Sequence, residues 1–461
     1  MAAHDYDLVI VGAGSGNMLP GKEYRHWRIA VVESHRFGGT CLNRGCIPSK
    51  MLVVTADIAR TVQHAGRYGI NAQFGGADWP AIRDRVFDRI DPLHEQAVAH
   101  RRATGIDVFI GQARFTGPKT LRVGEDEIRS ERFVLANGSR PAIPAIPGLS
   151  GVPYLTSNTV MRLDSLPASM VVLGGGYIAA EMSHVFGALG TKITIVARGP
   201  QLLSQHDFDV SARFTELYSR QFDVRLRTAV ERVYPTTSGV RVELTTSSGS
   251  RTAVDGDVLL VATGRVPNSD LLDVAATGLD VDEHGHIRTD DTYATSVAGI
   301  WAFGDLANHF QLKHMANAEA KLVRHNVMHP DQPLKSHLTI VPSAVFADPQ
   351  VASVGATEQE LQAQGRAYIA GTRAYKDTAY GWALEDTTSF VKVLVDPVTR
   401  LILGAHILGP QASTLIQPLI QGMCLGNTAE QIASGVLYIH PALSEAVEQA
   451  LLEVRPGKTG A

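Results

Sequence analysis

The first pattern along the chain is a short apolar run, a glycine-rich segment and a second apolar run. Leu8–Val11 contains no polar residue, residues 12–17 read Gly-Ala-Gly-Ser-Gly-Asn, and Ile29–Glu33 is apolar up to its final glutamate. Such uninterrupted runs are typical of strands buried on both faces of a parallel sheet, so the pattern predicts a β-α-β unit. Because Asn17 takes the last position of the glycine motif and Pro20-Gly21 follow, the crossover helix is expected to be short or broken.

The glycine-rich segment has the features that a dinucleotide requires. Gly12 and Gly14 permit a tight turn and a close backbone approach to a pyrophosphate, and Glu33 follows at the spacing of an acid that binds a ribose hydroxyl. A glycine motif alone is weak evidence, but strand, spacing and acid agree here. We therefore predict a nucleotide site at this turn.

The same pattern occurs a second time. Ser169–Leu173 and Lys192–Val196 are apolar runs, and Gly174-Gly175-Gly176-Tyr177 lies between them. Two such units indicate two dinucleotide sites, or one site and an internal duplication. The second unit ends in Ala197-Arg198 and lacks the acid. An arginine suits the 2′-phosphate of NADPH, which an acid would repel, so NADPH is favoured over NADH; a solvated surface arginine is the alternative.

The pattern of apolar and polar residues changes towards the end of the chain. Three further apolar runs end in turns, at 136–141, 261–268 and 299–305. From about Pro342 apolar and polar residues alternate, which predicts an antiparallel sheet that includes Phe390–Val395 and Leu401–Ile407. Helical spacing follows in three segments, 415–423, 428–434 and 444–452. Residues 455–461 are expected to be disordered.

Composition and charge limit the class of protein. Hydrophobic residues make up 44% of the 461 positions, charged residues 19%, and the net charge of −4 favours neither a nucleic acid nor an anionic membrane as partner. No apolar run reaches the ~18 residues of a membrane span, and the short polar start before Leu8 is unlike a signal peptide. A cytoplasmic protein of about three domains is expected.

Three cysteines are too few for the disulfide framework of a secreted protein. Cys424 lies among apolar residues and is expected to be a small buried side chain. Cys41 and Cys46 lie in Gly38-Gly39-Thr40-Cys41-Leu42-Asn43-Arg44-Gly45-Cys46, shortly after Glu33, where the chain runs along the nucleotide. A redox function is favoured over a structural disulfide, and zinc is excluded because no second Cys or His pair has matching spacing.

The spacing of the pair makes a demand on its helix. Residues five apart on a regular helix are separated by more than one turn, so the helix must be distorted for the two sulfurs to meet. Gly45 is the expected place of that distortion. The thiolate is the reactive form, and Lys50 is expected to supply part of the positive field that favours it.

Reduction of a disulfide also needs a group that protonates the departing thiolate, and histidine suits that task near neutral pH. Among the 17 histidines His440 stands out, because Glu445 follows and would hold its imidazole. Ser444 is expected to cap the last helix. His314 is a rival to His440, and the pattern leaves the choice between them open.

These segments resemble the pyridine nucleotide–disulfide oxidoreductase family with glutathione-reductase-like architecture, over essentially the whole chain. The resemblance rests on the first glycine turn with Glu33, the segment that holds Cys41 and Cys46, and four further motifs at 174–181, 262–268, 299–305 and 440–445. It implies an α/β fold with two Rossmann-like dinucleotide-binding domains and a C-terminal α+β dimerisation domain. The implied boundaries are 1–151 with 272–336 for FAD, 152–271 for NAD(P)H and 337–461 for the interface.

The resemblance also implies how the cofactors are held. FAD binds the first domain, with Asp305 on the ribitol, and NADPH binds the second, with Tyr177 over the nicotinamide pocket; NADH stays possible. The implied cofactor-binding residues are Gly12, Gly14, Gly16, Glu33, Gly39, Thr40, Lys50, Gly174, Gly176, Tyr177, Arg198, Gly264, Gly304 and Asp305.

The chemistry that the resemblance implies centres on the cysteine pair. Cys46, nearer the flavin, forms the charge-transfer thiolate, and Cys41 attacks the substrate disulfide. Glu181 pairs with Lys50 beside the flavin. The acid–base group is His440, which Glu445 holds and which comes from the other subunit of a homodimer.

Three features resemble the subgroup that reduces mycothiol disulfide: Gly16-Asn17 with the shortened crossover, residues 380–387 and residues 438–443. Two features depart from the wider family, since Asn137 stands where Thr or Ala is common and only one arginine marks the 2′-phosphate site. The alternatives are a dihydrolipoamide dehydrogenase, which usually carries an acid where Arg198 stands, or another reductase of small disulfides. A flavoprotein without catalytic activity, acting as a binding partner or redox sensor, is the alternative from another class.

Overall fold

The computed structural model of the protein describes residues 2–454, and the tail that was expected to be disordered, 455–461, lies outside the described residues. Residues 2–141 form the first part of the fold. Its strands are β1 (Ala2–Tyr6), β2 (Leu8–Val11), β3 (Ile29–Glu33), β4 (Asp107–Ile110), β5 (Ala113–Gly117), β6 (Thr120–Val123), β7 (Asp126–Ser130), β8 (Phe133–Leu135) and β9 (Ser139–Pro141). Its helices are α1 (Gly39–Arg44), α2 (Cys46–Gln63), α3 (Trp79–Ile90) and α4 (Pro92–Ala103).

Residues 169–267 form the second part. Its strands are β10 (Ser169–Leu173), β11 (Lys192–Val196), β12 (Asp223–Arg225), β13 (Thr228–Pro235), β14 (Val240–Thr246), β15 (Arg251–Gly256), β16 (Val258–Val261) and β17 (Arg265–Pro267). Its helices are α5 (Tyr177–Ala188) and α6 (Phe208–Gln221).

Residues 300–453 complete the fold. The strands are β18 (Ile300–Ala302), β19 (Ser343–Val345), β20 (Val351–Gly355), β21 (Ile369–Ala374), β22 (Phe390–Val395) and β23 (Ile402–Leu408). The helices are α7 (Lys313–Met328), α8 (Glu358–Ala363), α9 (Ala379–Ala383), α10 (Ala412–Leu415), α11 (Gln417–Leu425), α12 (Ala429–Ser434) and α13 (Ser444–Glu453).

Each glycine turn leaves a central strand of a parallel sheet. The first sheet has the order β18-β8-β2-β3-β4 and the second has the order β12-β11-β10-β16. Every residue of β2 and β3 is buried, as their apolar composition requires. The two predicted β-α-β arrangements are therefore confirmed in their strands, and both turns lie at the carboxyl end of a sheet, where nucleotides bind in α/β folds.

The first crossover, predicted to be a short or broken helix, contains no α-helix. Between β2 and β3, a fully described part of the chain, the only helical elements are two 3-10 turns at Gly16–Met18 and Lys22–Tyr24. The guanidinium of Arg101, at the end of α4, donates from Nε to Asn17 Oδ1 at 2.7 Å. This contact fixes the segment in place of helix packing.

The C-terminal sheet is antiparallel, as predicted, with the order β19-β20-β23-β22-β21. Three further sheets complete the described fold: β1-β7-β6-β5, β13-β14-β15 and the pair β17-β9. The expectation for Cys424 is wrong, because its side chain is exposed in this chain. Helix α11 buries Leu419 and Gly422, and Cys424 lies on the other side, next to the exposed Leu425.

The first and second parts of the fold share a hydrophobic core next to the cysteine segment. Leu52 and Ala56 of α2 belong to the same buried cluster as Val185 and Phe186 of α5. Helix α2 begins at Cys46, so this packing fixes the thiol segment against the helix that begins at the second glycine turn. Within residues 2–454 no helix is long and apolar enough to cross a membrane.

Candidate active site

The first glycine turn is fixed on both sides. Gly12 has φ +103, and a Cβ there would stand 2.4 Å from the carbonyl oxygen of Ala136, so only glycine fits. The N–H of Ala13 donates to Glu33 Oε2 at 2.8 Å, and the glutamate is 7% exposed. The turn and its acid thus form one rigid unit, as the sequence predicts for a nucleotide site.

The second glycine turn repeats the construction of the first. Gly174 has φ +127, and a Cβ there would stand 2.2 Å from the carbonyl oxygen of Ala262. Tyr177 begins α5 directly after this turn and is 43% exposed. The Arg198 side chain is also exposed, at the end of β11.

The cysteine segment begins against the first glycine turn, where the N–H of Gly38 donates to the carbonyl oxygen of Ala13 at 2.9 Å. Helix α1 contains Cys41 and ends at Arg44, and α2 begins at Cys46. Gly45 separates them with φ −143 and ψ −122, so the predicted distortion at this residue is confirmed. A Cβ on Gly45 would stand 2.8 Å from the carbonyl oxygen of Thr40, which explains why the break contains glycine.

The two thiols are free in this structure, with Cys41 half-buried and Cys46 exposed. A hydrogen bond from the Cys41 thiol lowers the pKa of Cys46 to about 7, and the charge of Lys50 acts in the same direction. The same hydrogen bond, together with burial, raises the pKa of Cys41. Near neutral pH the pair therefore holds its negative charge on Cys46, while Cys41 keeps its proton.

Lys50 and Glu181 are in contact. The ammonium of Lys50 lies 2.6 and 2.7 Å from the two carboxylate oxygens of Glu181, which is 5% exposed. The N–H of Phe346 donates to Glu181 Oε1 at 3.1 Å, and Lys50 Nζ lies 4.4 Å from the centre of the Phe346 ring. The pair joins α2 to α5 directly beside Cys46.

Asp305 follows β18, and a hydrogen bond from the β9–β17 strand pair holds its carboxylate. Ser139 Oγ donates to Asp305 Oδ2 at 2.6 Å, and Arg265 donates to Ser139 Oγ at 2.8 Å. The turn before Asp305 is supported by Glu319, which accepts from the N–H of Gly304 at 2.7 Å. Burial raises the pKa of Glu319 to about 7.

Asn137, whose departure from the family pattern had no sequence explanation, forms a reciprocal pair with Asn268. Asn137 Nδ2 donates to the carbonyl oxygen of Asn268 at 3.0 Å, and Asn268 Nδ2 donates to that of Asn137 at 2.7 Å. The pair ties together the turns that follow β8 and β17. Asn137 Oδ1 is buried and accepts no hydrogen bond within the described residues.

Lys313 is a site residue that the sequence did not reveal. It is the first residue of α7, and its ammonium donates to Ser15 Oγ of the first glycine turn at 2.9 Å. Within residues 2–454 it forms no ion pair. Burial lowers the pKa of Lys313, and its charge acts to lower the pKa of Cys41. A lysine in Gln311-Leu312-Lys313 carries no motif, so only the fold brings it to the thiols.

One cavity of about 1670 Å³ connects most of the predicted residues. It is lined by Gly12, Gly14, Glu33, Gly39, Thr40, Cys41, Cys46, Lys50, Tyr177, Glu181, Gly264, Gly304 and Asp305. Its volume exceeds the roughly 300–1,000 Å³ of ordinary ligand pockets. Together with the unpaired Asn137 Oδ1 on its wall and the first glycine turn, the cavity fits an extended dinucleotide such as FAD.

Six predicted residues lie outside this cavity: Gly16, Gly174, Gly176, Arg198, His440 and Glu445. A Cβ on Gly16 would stand 3.0 Å from Ile10 Cγ2, so this glycine permits close packing on the sheet. Gly174 and Gly176 belong to the second glycine turn, and Arg198 follows β11.

His440 and Glu445 form the predicted pair but at a distance from the thiols. His440 Nδ1 lies 2.7 Å from Glu445 Oε1, and this hydrogen bond lowers the pKa of Glu445. The imidazole is 72% exposed and does not line the cavity, so one chain does not bring it to Cys41. The rival His314 does line the cavity, with Nε2 2.8 Å from the carbonyl oxygen of Pro342.

The predicted cap by Ser444 is wrong. Helix α13 begins at Ser444, Leu443 takes the N-cap position, and no side chain caps it there. Glu445 accepts from the N–H of Ala442 at 3.2 Å instead, so one carboxylate both supports the start of α13 and holds His440.

Comparison with known proteins identifies a family that matches most of the chain, together with similar proteins and a similar solved structure. The chain matches the family models for pyridine nucleotide-disulphide oxidoreductase over residues 6–320 and for its dimerisation domain over residues 341–451. Mycothione reductase from Mycobacterium tuberculosis is 44% identical over 98% of this chain and 99% of its own length. Dihydrolipoyl dehydrogenase from Halobacterium salinarum is 32% identical over 96% of this chain and 95% of its own length. The solved HOCl-induced flavoprotein disulfide reductase RclA from Escherichia coli superposes with a TM-score of 0.86 at 27% identity, over 98% of this chain and 100% of that one.

Proposed function

Because the chain belongs to the pyridine nucleotide-disulphide oxidoreductase family, we propose that it is an NADPH-dependent flavoprotein that reduces mycothiol disulfide to mycothiol. The observation that carries the disulfide chemistry is the thiol pair of Cys41 and Cys46 across the broken helix, with Lys50 and Glu181 beside it. The substrate assignment rests on the similarity to mycothione reductase over almost the whole chain.

Membership of the family implies a flavin and a pyridine nucleotide. We propose FAD at the first glycine turn, within 1–151 and 272–336, and NADPH at the second, within 152–271. Glu33 would hold the ribose of FAD and Asp305 its ribitol, because both carboxylates line the cavity at the carboxyl ends of strands of the first sheet, Glu33 on β3 and Asp305 after β18. When bound, FAD supplies the path by which electrons from NADPH reach the disulfide form of Cys41 and Cys46.

The reduced pair then acts on the substrate in two exchanges. The Cys41 thiolate attacks one sulfur of the substrate disulfide, a mixed disulfide forms, and the first substrate thiolate departs. The Cys46 thiolate attacks the Cys41 sulfur, releases the second thiolate and restores the Cys41–Cys46 disulfide. The two electrons of the pair thus end on two substrate thiols.

Cys41 needs a base, because its pKa is raised by the hydrogen bond to Cys46 and by burial. We propose that His440 accepts the Cys41 proton and returns it to the first departing thiolate, with Glu445 holding the imidazole. Since His440 does not reach the cavity of its own chain, it would act in the partner subunit of a homodimer formed by residues 337–461. The exposed Leu437 and Ile439 next to it support an interface there, being 99% and 75% exposed in the single chain.

The experiment that tests this function is NADPH oxidation by the purified protein with three disulfides: mycothiol disulfide, glutathione disulfide and lipoamide. Turnover confined to mycothiol disulfide is the expected result. Reduction of lipoamide or glutathione disulfide, with no reduction of mycothiol disulfide, would agree with the thiol mechanism but contradict the proposed substrate. The second candidate function is that of a dihydrolipoamide dehydrogenase, because the chain is 32% identical to dihydrolipoyl dehydrogenase. Oxidation of dihydrolipoamide by NAD would support it.

A further inference from the structure

The end of β11 is enclosed by the chain that follows helix α6. The N–H of Ala197 donates to the carbonyl oxygen of Arg225 at 2.9 Å, and the N–H of Thr228 donates to that of Ala197 at 3.1 Å. Between these contacts the N–H of Arg227 donates to the carbonyl oxygen of Gly199 at 3.0 Å. Arg227 is therefore a backbone neighbour of the Arg198-Gly199 turn, although α6 and β12 separate the two arginines in sequence.

We propose that Arg227 is the second arginine for the 2′-phosphate of NADPH and that, together with Arg198, it sets the preference for NADPH over NADH. This inference rests on the proposed use of NADPH. The sequence pattern supplies a single arginine after β11, whereas enzymes that bind a 2′-phosphate tightly need several donors for its oxygens. Arg227, in the short segment between β12 and β13, provides the missing donors.

The position relative to the second glycine turn supports this role. A Cβ on Gly175 would stand 3.2 Å from the Cβ of Ala197, so the turn for the pyrophosphate touches the residue before Arg198. In this kind of fold the group that binds the adenosine ribose lies at the end of the second strand of the unit, which is β11 here. Arg198 and Arg227 both lie at that end.

The charges nearby distinguish Arg227 from Arg225. The Arg225 guanidinium is neutralised by Asp223, with Nε 2.7 Å from one carboxylate oxygen and the terminal nitrogen 3.1 Å from the other. Within the described chain, the guanidinium groups of Arg198 and Arg227 form no ion pair and donate no hydrogen bond, and both side chains are exposed. Two uncompensated positive charges thus lie at the end of β11, which suits a dianionic phosphate.

The backbone at Arg227 is unusual for an arginine. It has φ +51, a left-handed conformation that glycine and asparagine adopt more easily. Its N–H is bound to Gly199, and its carbonyl oxygen accepts from the N–H of Ser247 at 2.9 Å, so the conformation is fixed from both sides. The Arg227 side chain therefore starts from a fixed backbone position beside the Arg198-Gly199 turn.

The test compares Arg227→Asn with Arg225→Asn. Asparagine tolerates the left-handed backbone, so the first variant removes the guanidinium without added strain. Two readouts are needed: the Kd of 2′,5′-ADP against that of 5′-AMP, and the KM of NADPH against that of NADH. Arg227→Asn is expected to raise the Kd of 2′,5′-ADP and the KM of NADPH about tenfold, the effect of one lost charged hydrogen bond, with 5′-AMP, NADH and kcat unchanged. Arg227→Lys is expected to restore part of the loss.

Unchanged values in Arg227→Asn, or a loss of NADPH affinity in Arg225→Asn instead, would overturn the assignment of Arg227. An equal loss for 5′-AMP and 2′,5′-ADP would also overturn it, because the effect would then not concern the 2′-phosphate. The wild-type protein tests the premise separately: if it binds 2′,5′-ADP no more tightly than 5′-AMP, the proposed NADPH preference fails before any variant is made.

Discussion

Lys50 Nζ contacts both carboxylate oxygens of Glu181, at 2.6 and 2.7 Å, and these two residues act on the neighbouring Cys46 in opposite directions. The positive charge of Lys50 lowers the pKa of the thiol, and the negative charge of Glu181 raises it. The hydrogen bond from Cys41 lowers the pKa of Cys46 most, and the opposed charges of Lys50 and Glu181 adjust it further, so removal of either charge would shift it.

Neutral variants of the two residues are expected to shift Cys46 in opposite directions. Wild-type Cys46 should be alkylated increasingly fast as pH rises through about 7, because the thiolate forms above its pKa. Lys50→Met should move this rise to higher pH and Glu181→Gln to lower pH. The measurement is the iodoacetamide reaction of Cys46 in the reduced protein, followed by mass spectrometry. Lys321→Met, an exposed lysine on α7, is the control; shifts of the same sign in both variants would contradict these opposed effects.

Lys313 is expected to act on the other thiol. Its ammonium is held at the first glycine turn by Ser15, and its charge favours the Cys41 thiolate against the hydrogen bond and burial that oppose it. Lys313→Met should therefore raise the pH at which Cys41 becomes reactive, and Lys313→Arg should restore it. Lys321→Met again provides the control, since it removes the same charge from the exposed side of the same helix. Unchanged reactivity of Cys41 in Lys313→Met would show that the field is screened.

The difference between Lys50 and Lys313 shows how far sequence reasoning reaches in this fold. Lys50 lies one helical turn after Cys46, so local spacing is enough to predict its field. Lys313 reaches the thiols only because α7 begins beside the first glycine turn, a contact between segments distant in the chain. The parallel strands were predictable for the same local reason, because their apolar runs are continuous.

The pairing of Asn137 with Asn268 could not be predicted from the sequence. Asn268 follows β17, and the two amides meet only because β9 and β17 pair antiparallel. No residue near Asn137 in sequence indicates this pairing. The exposure of Cys424 had the same kind of cause, since the face that α11 buries is decided by what packs against it.

Lys392 is expected to be the most sensitive lysine for stability. It is 1% exposed and bonds Asp207, which is fully buried, at 2.8 Å and Asp209 at 2.6 Å, so it links β22 to the start of α6. Lys392→Met would leave the Asp207 carboxylate buried with its main counter-charge removed, at a loss of about 3–5 kcal/mol in the free energy of unfolding. Thermal denaturation measures this as a lower Tm.

Asp209→Asn is the matched control for Lys392. Its carboxylate is 55% exposed, so the loss should stay below about 1 kcal/mol. Equal Tm values for the two variants would mean that the buried charge of Asp207 finds other partners.

The action of His440 across a subunit interface can be decided with mixed dimers. Cys41→Ser and His440→Gln subunits carry different affinity tags, and the mixed dimer is purified by both. If His440 serves the partner's thiols, one of the two sites combines an intact Cys41 with an intact His440, and the mixed dimer regains activity that neither parent has. If His440 served its own chain, both sites would lack one group and the mixed dimer would stay inactive.

A second mixed dimer reverses the expectation and controls for assembly. Here one subunit carries both substitutions, Cys41→Ser and His440→Gln, and the other is wild type. With action across the interface, the intact Cys41 meets the substituted His440 and the dimer is inactive; with action within one chain, the wild-type subunit keeps a complete site. Activity in the second dimer and not in the first would mean that His440 acts within its own chain. Activity of the His440→Gln parent itself would make His314, which lines the cavity of its own chain, the better candidate for the acid–base group. Activity in the first and not in the second would fix His440 as the partner's contribution and explain why its imidazole is exposed in the single chain.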